Sequence, residues 1–436
     1  MIEPKILPGF IEFSPIEQVQ FKKIKTIIAK NFELFGYNPL DTVVIEKESV
    51  LLAKAGGETE KQIFSLKKGD TNMCLRFDLT VPLARYVASR ENELAFPFKR
   101  FQIGKVYRGE RPQKGRFREF YQCDIDVIGK DKLALNYDAE VPAVMCKIFR
   151  EIGIKNFKVK INNRKILLGF INSLEINYEY DEIVRLIDKF DKIGEEKFVL
   201  TLKDWGVEDD KIGRLLEFIK MSGTNDEKIN FLKNLNIQNE NFELGIEEIE
   251  KVLNAINLFG EGNNIEIDFK ISRGLDYYTG TVYETFIVGH EDFGSIASGG
   301  RYDNLAGHYT NSKLPGVGMA IGLSRLFMLL KDNNLLDIEE RAVADILVLP
   351  MGDFNGKAIE ISQELRNAGI KCEIYFEEAK FKSKMNFANK IKVPYVLILG
   401  EDEVQSGLLT LKNMSTGEQQ RLSACEIAGA IKGEQR

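Results

Sequence analysis

Arg100–Gly129, RFQIGKVYRGERPQKGRFREFYQCDIDVIG, decides how the rest of the chain is read. Phe98 to Tyr107 is made of β-type residues, and Gly109, Pro112 and Gly115 are turn formers. Phe117 to Ile128 then alternates. Its odd positions, Phe117, Glu119, Tyr121, Cys123, Ile125 and Val127, are mostly apolar, and its even positions mostly polar. Period two puts each set on its own face of a strand. The stretch therefore predicts two antiparallel strands with a loop longer than a minimal hairpin turn. One face carries Phe120, Gln122, Asp124 and Asp126 in a row.

Arg108, Arg111, Lys114, Arg116 and Arg118 surround the loop. In a chain of net charge −6 this local cluster asks for an anionic partner, and arginine forks suit phosphate oxygens. It reads equally as a solvated hairpin tip whose arginines pair with Glu110 and Glu119. The loop alone does not decide between the two.

A chain of 436 residues is too long for one core, so two or three domains are expected. Apolar content of 44% and charged content of 29% are those of a globular protein, and the acidic balance excludes a generally basic nucleic-acid coat protein. No signal peptide and no apolar run of membrane-spanning length is seen, so no membrane role is expected. The five cysteines, Cys74, Cys123, Cys146, Cys372 and Cys425, form no C-x-x-C pair. That fits a reducing cytoplasm and excludes the usual zinc spacings. With only His290 and His308, a histidine metal site or triad is not expected.

Upstream, Ile16 to Phe35 has helical spacing, with Ser14 as cap, Pro15 at the first position and Gly36 beyond the end. A strand is expected at Thr42–Ile45, and a strand pair at Phe64–Leu66 and Met73–Phe77. In LRFDLTVP, residues 75–82, Asp78 and Thr80 share a face if the chain is extended and could grip an ammonium; Thr80 reads as well as a helix cap.

Downstream, Asp138–Phe149 reads as helix and Lys158–Ile161 as strand. From Asn163 to Phe259 the pattern is helical, with Trp205 expected in a small core there. Ile265, Ile267, Phe269 and Ile271 line one face of a strand, and Arg273 continues the row, where burial would demand an anion. Asp276 or Glu284 could be that anion. Ser298-Gly299-Gly300-Arg301-Tyr302 is read as a glycine turn, and Gly316–Leu326 as the start of a long apolar helix presenting Gly318, Gly322 and Arg325 on one side. Beyond Val343, strands at Ile346–Leu349, Cys372–Phe376, Tyr395–Leu399 and Leu408–Leu411 alternate with helices at Ala358–Ala368, Ser383–Ile391 and Cys425–Ile431. The lysines between Lys380 and Lys392 read as a solvated face.

Arg108, Arg273 and Arg325 together call for a polyphosphate. At these residues the chain resembles the histidyl-tRNA synthetases, class II aminoacyl-tRNA synthetases, over nearly its whole length. The hairpin resembles motif 2 and Gly316–Leu326 motif 3. Arg273–Gly280 (RGLDYYTG) and Ser298–Asp303 (SGGRYD) resemble the two histidine-specific signatures, which are highly specific. LRFDLTVP is more similar to the archaeal and eukaryotic branch than to the best-known bacterial one. One departure is noted: the family's proline in the strand after the motif 1 helix aligns with Val43, and Pro39 stands a few residues early.

The resemblance implies an α+β protein: a class II antiparallel-sheet catalytic domain (1–162 and 261–335), a helical insertion (163–260) and a C-terminal α/β anticodon-binding domain (344–436). It implies ATP-dependent activation of L-histidine to the adenylate and transfer to tRNA(His), with Mg²⁺ bridging the phosphates, in a cytoplasmic homodimer. For ATP it implies Phe120 stacked on adenine, Glu110 at the base or loop, Arg108 on the α-phosphate, Arg325 on the γ-phosphate and Arg116 assisting. For histidine it implies Asp78 and Thr80 on the ammonium with Gln122 nearby, and Asp126, Tyr277 and Tyr278 around the imidazole. Arg273 would sit between the carboxylate and the α-phosphate, and Gln113 would touch the tRNA acceptor end. No particular carboxylate is singled out for the metal. The contrasting expectation is a non-catalytic, synthetase-like regulatory subunit of ATP phosphoribosyltransferase, which usually lacks signature residues and the last domain.

Overall fold

The quoted stretch lies at the heart of a sheet in the computed structural model, which describes residues 2–53, 62–272, 278–336 and 342–434. The chain enters through a helix, Pro15–Leu34, and a two-residue strand, β1 (Asn38–Pro39), parallel to β5. A small antiparallel sheet follows: β2 (Ile45–Lys47), β3 (Ser65–Lys68) and β4 (Thr71–Leu75), with β4 in the middle. β5 (Phe98–Tyr107) and β6 (Glu119–Ile128) then pair antiparallel along their full length, from Phe98 opposite Ile128 to Tyr107 opposite Glu119.

With β7 (Phe157–Asn163), β8 (Ile265–Ile267), β9 (Thr281–Ile287), β10 (Ala297–Tyr302) and β11 (Gly316–Gly322), the described residues form an eight-stranded sheet. Its order is β1-β5-β6-β11-β10-β9-β7-β8. All neighbours are antiparallel except β1–β5 and β7–β8. Cys123, Ile125, Val127, Val317, Met319 and Ile321 are buried on one face. Helices Asn136–Ile152 and Leu323–Asp332 pack against β6 and β11, which accounts for that face being apolar. The opposite face is the one with the amide and the carboxylates.

Between β7 and β8 lie seven helices from Arg164 to Leu258 and, among the described residues, no strand. Phe170, Phe198, Phe218 and Phe242 are buried at their centre, with Phe170 and Phe218 stacked at 3.9 Å. Trp205 is not in that core; it is half-buried and stacks on Tyr178 at 4.2 Å.

The last sheet runs β13-β12-β14-β15-β16, with β12 (Ile346–Pro350), β13 (Cys372–Ile374), β14 (Tyr395–Leu399), β15 (Leu409–Asn413) and β16 (Gln419–Leu422). β12 is buried on both sides: Ile346 and Val348 pack with Leu365 and Ile427, and Leu347 and Leu349 with Ala388 and Val396. That explains its unbroken apolar run. Contacts divide the chain into two compact units, Met1–Glu12 with Lys23–Leu336 and Phe13–Lys22 with Asp337–Arg436. No helix among the described residues is long and apolar enough to cross a membrane.

Four expectations are corrected. Gly316–Gly322 is a strand, and the helix begins only at Leu323, so Gly318 and Arg325 do not share a helix face. Ser298–Tyr302 lies within β10 rather than in a turn. The helix after LRFDL starts at Thr80, and Asp78 caps it by accepting from the Val81 N–H at 3.1 Å, a role expected of Thr80. The strand expected at Thr42–Ile45 is Ile45–Lys47, with Val43 in an exposed loop and Pro39 in the short strand directly after the first helix. Arg273, Asp276 and Tyr277 lie outside the described residues.

Candidate active site

Cross-strand register builds the site. On β6 the row is Phe120, Gln122, Asp124 and Asp126. Residues directly opposite across a ladder share a face. On β5 these are Val106, Gly104, Gln102 and Arg100; on β11, Gly322 opposite Gln122, Ala320 opposite Asp124 and Gly318 opposite Asp126. β10 continues the row with Ser298 and Gly300, and β9 with Glu284 and Val282. The middle of this face is therefore floored by glycine, alanine and serine. That leaves a trough over β11 and β10, walled on one side by the polar row of β6.

The glycines are needed there. A Cβ on Gly318 would collide with Asp126 Oδ1, and one on Gly300 would come within 2.6 Å of the Thr281 carbonyl oxygen and 2.8 Å of the Tyr278 ring. These close approaches, not a chain reversal, are the reason for the glycine pair that the sequence suggested was a turn.

Two of the phosphate-binding candidates, Arg108 and Arg325, stand at the same end of the sheet. Arg108 follows β5 and Arg325 lies three residues beyond β11, on either side of the start of β6. The Arg108 guanidinium lies over the Phe120 ring at 5.3 Å, and its Nε donates to the Phe77 carbonyl at 3.0 Å. The Arg325 guanidinium lies over Phe293 at 5.4 Å and donates through Nη2 to that residue's carbonyl. Gly115, at φ 71°, packs at the hairpin tip against the same Phe293 ring, leaving no room for a Cβ.

The loop cations divide. Arg116 pairs with Glu110 at 3.2 Å, and Lys114 with Asp332 at 3.4 Å. Arg118 is an anchor, donating to the carbonyls of Glu110 and Pro8, each at 3.3 Å. Glu119 pairs with Lys105 at 2.7 Å rather than with a loop arginine. Arg111 and Gln113 are exposed, with Gln113 bridged through its backbone to Arg116.

The deep end is a buried acidic cluster that alternation alone did not reveal. Asp78, Asp124 and Asp126 are all buried, and Arg100, entirely buried, faces them from β5. Its Nη2 is 2.6 Å from Asp126 Oδ2, an approach too oblique for a hydrogen bond, and donates to the Leu79 carbonyl at 3.0 Å. Tyr302 OH donates to Asp126 Oδ1 at 2.8 Å. Among the described residues, Asp78 Oδ2, Gln122 Oε1, Asp124 Oδ1, Arg100 Nε and Arg100 Nη1 are buried without a hydrogen-bond partner. Burial pushes the Asp78 carboxyl up to about 6, against the pull of the Val81 N–H and Arg108. Burial raises Asp124 well above the carboxylate range, with Arg100 opposing. Asp126 is raised by burial too, and Arg100 and Tyr302 hold it back. Buried carboxylates outnumbering their cations, with free acceptor atoms, suit a cationic, hydrogen-bonding ligand.

Thr80 is half-buried at the helix start two residues from Asp78, and Tyr278 packs at Gly300. Arg301, next to the glycine pair, points into the structure instead: it grips buried Asp138 through Nε at 3.0 Å and Nη2 at 2.5 Å. A separate cavity of about 450 Å³, lined by Phe35, Lys147, Arg150 and Phe259, holds none of these residues. Arg100 and Tyr302 were missed as site residues. The cue for Arg100 was its position opposite Asp126, which only the hairpin register reveals.

An antiparallel sheet with an arginine-bearing hairpin, a glycine-floored trough and a strand–helix segment carrying a second arginine is that of a class II aminoacyl-tRNA synthetase. The Histidyl-tRNA synthetase family model matches residues 9–326, and the anticodon binding domain model residues 345–434. The chain is 48% identical over 434 residues to the histidine--tRNA ligase of Clostridium tetani, covering 99% of each. It is 48% identical over 428 residues to that of Clostridium acetobutylicum, covering 98% of this chain and 99% of the relative. The crystal structure of histidyl-tRNA synthetase from Nostoc sp. PCC 7120 superposes with a TM-score of 0.90 at 37% identity, over 100% of both chains. The chain belongs to the histidyl-tRNA synthetase family.

Proposed function

We propose that this chain activates L-histidine with ATP, releasing pyrophosphate, and passes the histidyl group from the adenylate to tRNA(His), the activity that the names of its relatives describe. The observation that carries this reading is the trough itself: two arginines at one end and an excess of buried carboxylates at the other. A triphosphate and an amino acid with a cationic end would lie along it in opposite electrostatic surroundings.

In this reading adenine stacks on Phe120 once Arg108 turns from the ring to the α-phosphate. Arg325 takes the γ-phosphate, and Glu110 and Arg116 steady the loop over the base. The histidine ammonium meets Asp78, with Thr80 and Gln122 beside it, and its ring meets Asp126, Tyr278 and Tyr277. Arg273 bridges the substrate carboxylate and the α-phosphate. The carboxylate attacks the α-phosphorus in line, and positioning with cationic stabilisation of the developing charge supplies the rate. No side chain need act as acid or base.

Mg²⁺ would neutralise phosphate charge. Among the described residues no group of three or more His, Cys, Asp or Glu is arranged around a metal, which suits an ion held mainly by phosphate oxygens and water. Glu284 lies on the same sheet face as Asp124 and Asp126. Leu34, at the end of the first helix, and Val43, Val44 and Ile45 are exposed apolar residues of the kind that a homodimer would cover. Gln113, exposed on the hairpin loop, would meet the acceptor end, and the 344–436 domain would read the anticodon. The match to an anticodon-binding domain disfavours a regulatory subunit. The test is ATP–pyrophosphate exchange with each of the twenty amino acids. Exchange with histidine alone is expected, and Arg273→Ala should abolish it. No exchange with histidine at saturating Mg²⁺ and ATP would overturn the proposal.

A further inference from the structure

Asp126 is held from three sides by groups that would not themselves touch the substrate. Arg100, inward from β5, approaches one oxygen; Tyr302, at the end of β10, donates to the other; Gly318 on β11 leaves the space that the carboxylate occupies. The three come from three different strands, so the arrangement exists only when β5, β6, β11 and β10 are in register.

We propose that Arg100 and Tyr302 are positioning residues: together they orient Asp126 so that its remaining lone pairs accept from a ring N–H of the bound amino acid, which makes them determinants of histidine selection. This rests on the proposed function. Each carboxylate oxygen has two lone pairs; Tyr302 takes one on Oδ1, while Oδ2, beside Arg100, accepts no hydrogen bond and keeps both. A carboxylate fixed in this way presents one geometry, and a substrate without a matching N–H leaves a buried acceptor unpaired. Tyr302 itself is saturated: its hydroxyl hydrogen is given to Asp126, so it cannot donate to the substrate as well.

Charge is the second element. The titratable groups that sense Asp126 are Arg100 on β5, Asp124 on β6, Tyr302 on β10, Asp78 before the helix and Tyr37 before β1, with Arg108 acting on Asp78 and Asp124. Two of these are further buried carboxylates. Arg100 is the one cation in contact with Asp126 among the described residues. Without it the three carboxylates would compete for protons, and Asp126 would be lost as an acceptor at a pH where the parent keeps it. Arg100's unpartnered Nε and Nη1 are consistent with a group placed for charge and direction rather than for its own hydrogen-bond satisfaction.

The experiment is histidine-dependent ATP–pyrophosphate exchange from pH 6 to 9 with the full chain and its Tyr302→Phe, Arg100→Lys and Arg100→Gln variants. In Tyr302→Phe the KM for histidine should rise about tenfold while the KM for ATP stays within about twofold. In Arg100→Gln the rise should be larger, and the acid limb of kcat/KM for histidine should move to higher pH; Arg100→Lys should restore part of both. A merely structural role would instead lower kcat and raise both KM values together. If Arg100→Gln does not fold, Tyr302→Phe, which removes one oxygen, still decides. Unchanged histidine KM and pH profile in Tyr302→Phe, with a parent that exchanges normally, overturns the positioning role alone. A parent that gives no exchange with histidine overturns the functional reading and this role with it.

Discussion

Arg301 and Arg100 are both buried in the large sheet, and each faces an aspartate, Arg301 one far away in sequence and Arg100 one across its own hairpin. Arg301 meets Asp138 in a fork, with Nε and Nη2 on the carboxylate and Nη2 also near the Ala134 carbonyl. Asp138 is fully buried, and the backbone carbonyl of the same residue accepts from Tyr283 OH at 2.7 Å. Arg100 approaches Asp126 obliquely, leaves two nitrogens unpartnered and has Asp78 and Asp124 nearby, each with an unpartnered oxygen. The first pair is complete and ties the Asn136–Ile152 helix to β10. The second is incomplete in itself, as a site that must still receive a ligand has to be. Burial of charge alone thus does not distinguish the two pairs; the completeness of their hydrogen bonding does.

The contrast can be broken by mutation. The largest effect is expected at the complete pair: Asp138→Ala leaves a buried guanidinium alone and should cost about 3–5 kcal/mol in denaturant unfolding. A loss below about 1 kcal/mol would remove the distinction drawn here. Next, Arg108→Ala should lower the exchange rate by roughly 10²–10³-fold, with the unfolding midpoint nearly unchanged. A large drop in stability would reclassify Arg108 with Arg301.

Asp78→Asn should go the other way. Burial raises the folded-state pKa to about 6, above the value of about 3.9 expected for the unfolded chain. The folded protein therefore binds this proton more tightly, and the residue costs stability progressively as pH rises from about 4 to about 6. Asparagine keeps a cap for the Val81 N–H and removes the cost. Near pH 7 the variant should gain up to about 3 kcal/mol, near pH 4 almost nothing, and histidine activation should be lost. Melts of both proteins at the two pH values check the sign. The smallest effect is expected at Lys114→Ala, which removes a largely exposed pair with Asp332 and should change stability by less than about 1 kcal/mol.

Legibility in the sequence followed the range of the interactions. Phe117–Ile128 was readable because alternation is local, and β6 follows it closely. The row Phe120, Gln122, Asp124 and Asp126 was readable for the same reason, although its burial was not. Gly316–Gly322 was misread because glycine, alanine and apolar residues without polar alternation look alike in a buried strand and a buried helix. Gly299-Gly300 was misread because glycine signals close approach as readily as reversal. β16 escaped notice, since Gln419, Gln420 and Arg421 form an exposed edge without an apolar row. The partner of Arg301 depends on contact between segments widely separated along the chain, which no window along the sequence contains, whereas that of Arg100 lies within one hairpin and needed its register.

The hairpin tip at Gly115 rests on one part of the Phe293 ring while the Arg325 guanidinium lies over it. The ring is thus a shared fulcrum. Even a methyl group at position 115 would press on this ring and through it on the Arg325 guanidinium, so the smallest residue of the hairpin sets how closely its tip approaches that arginine.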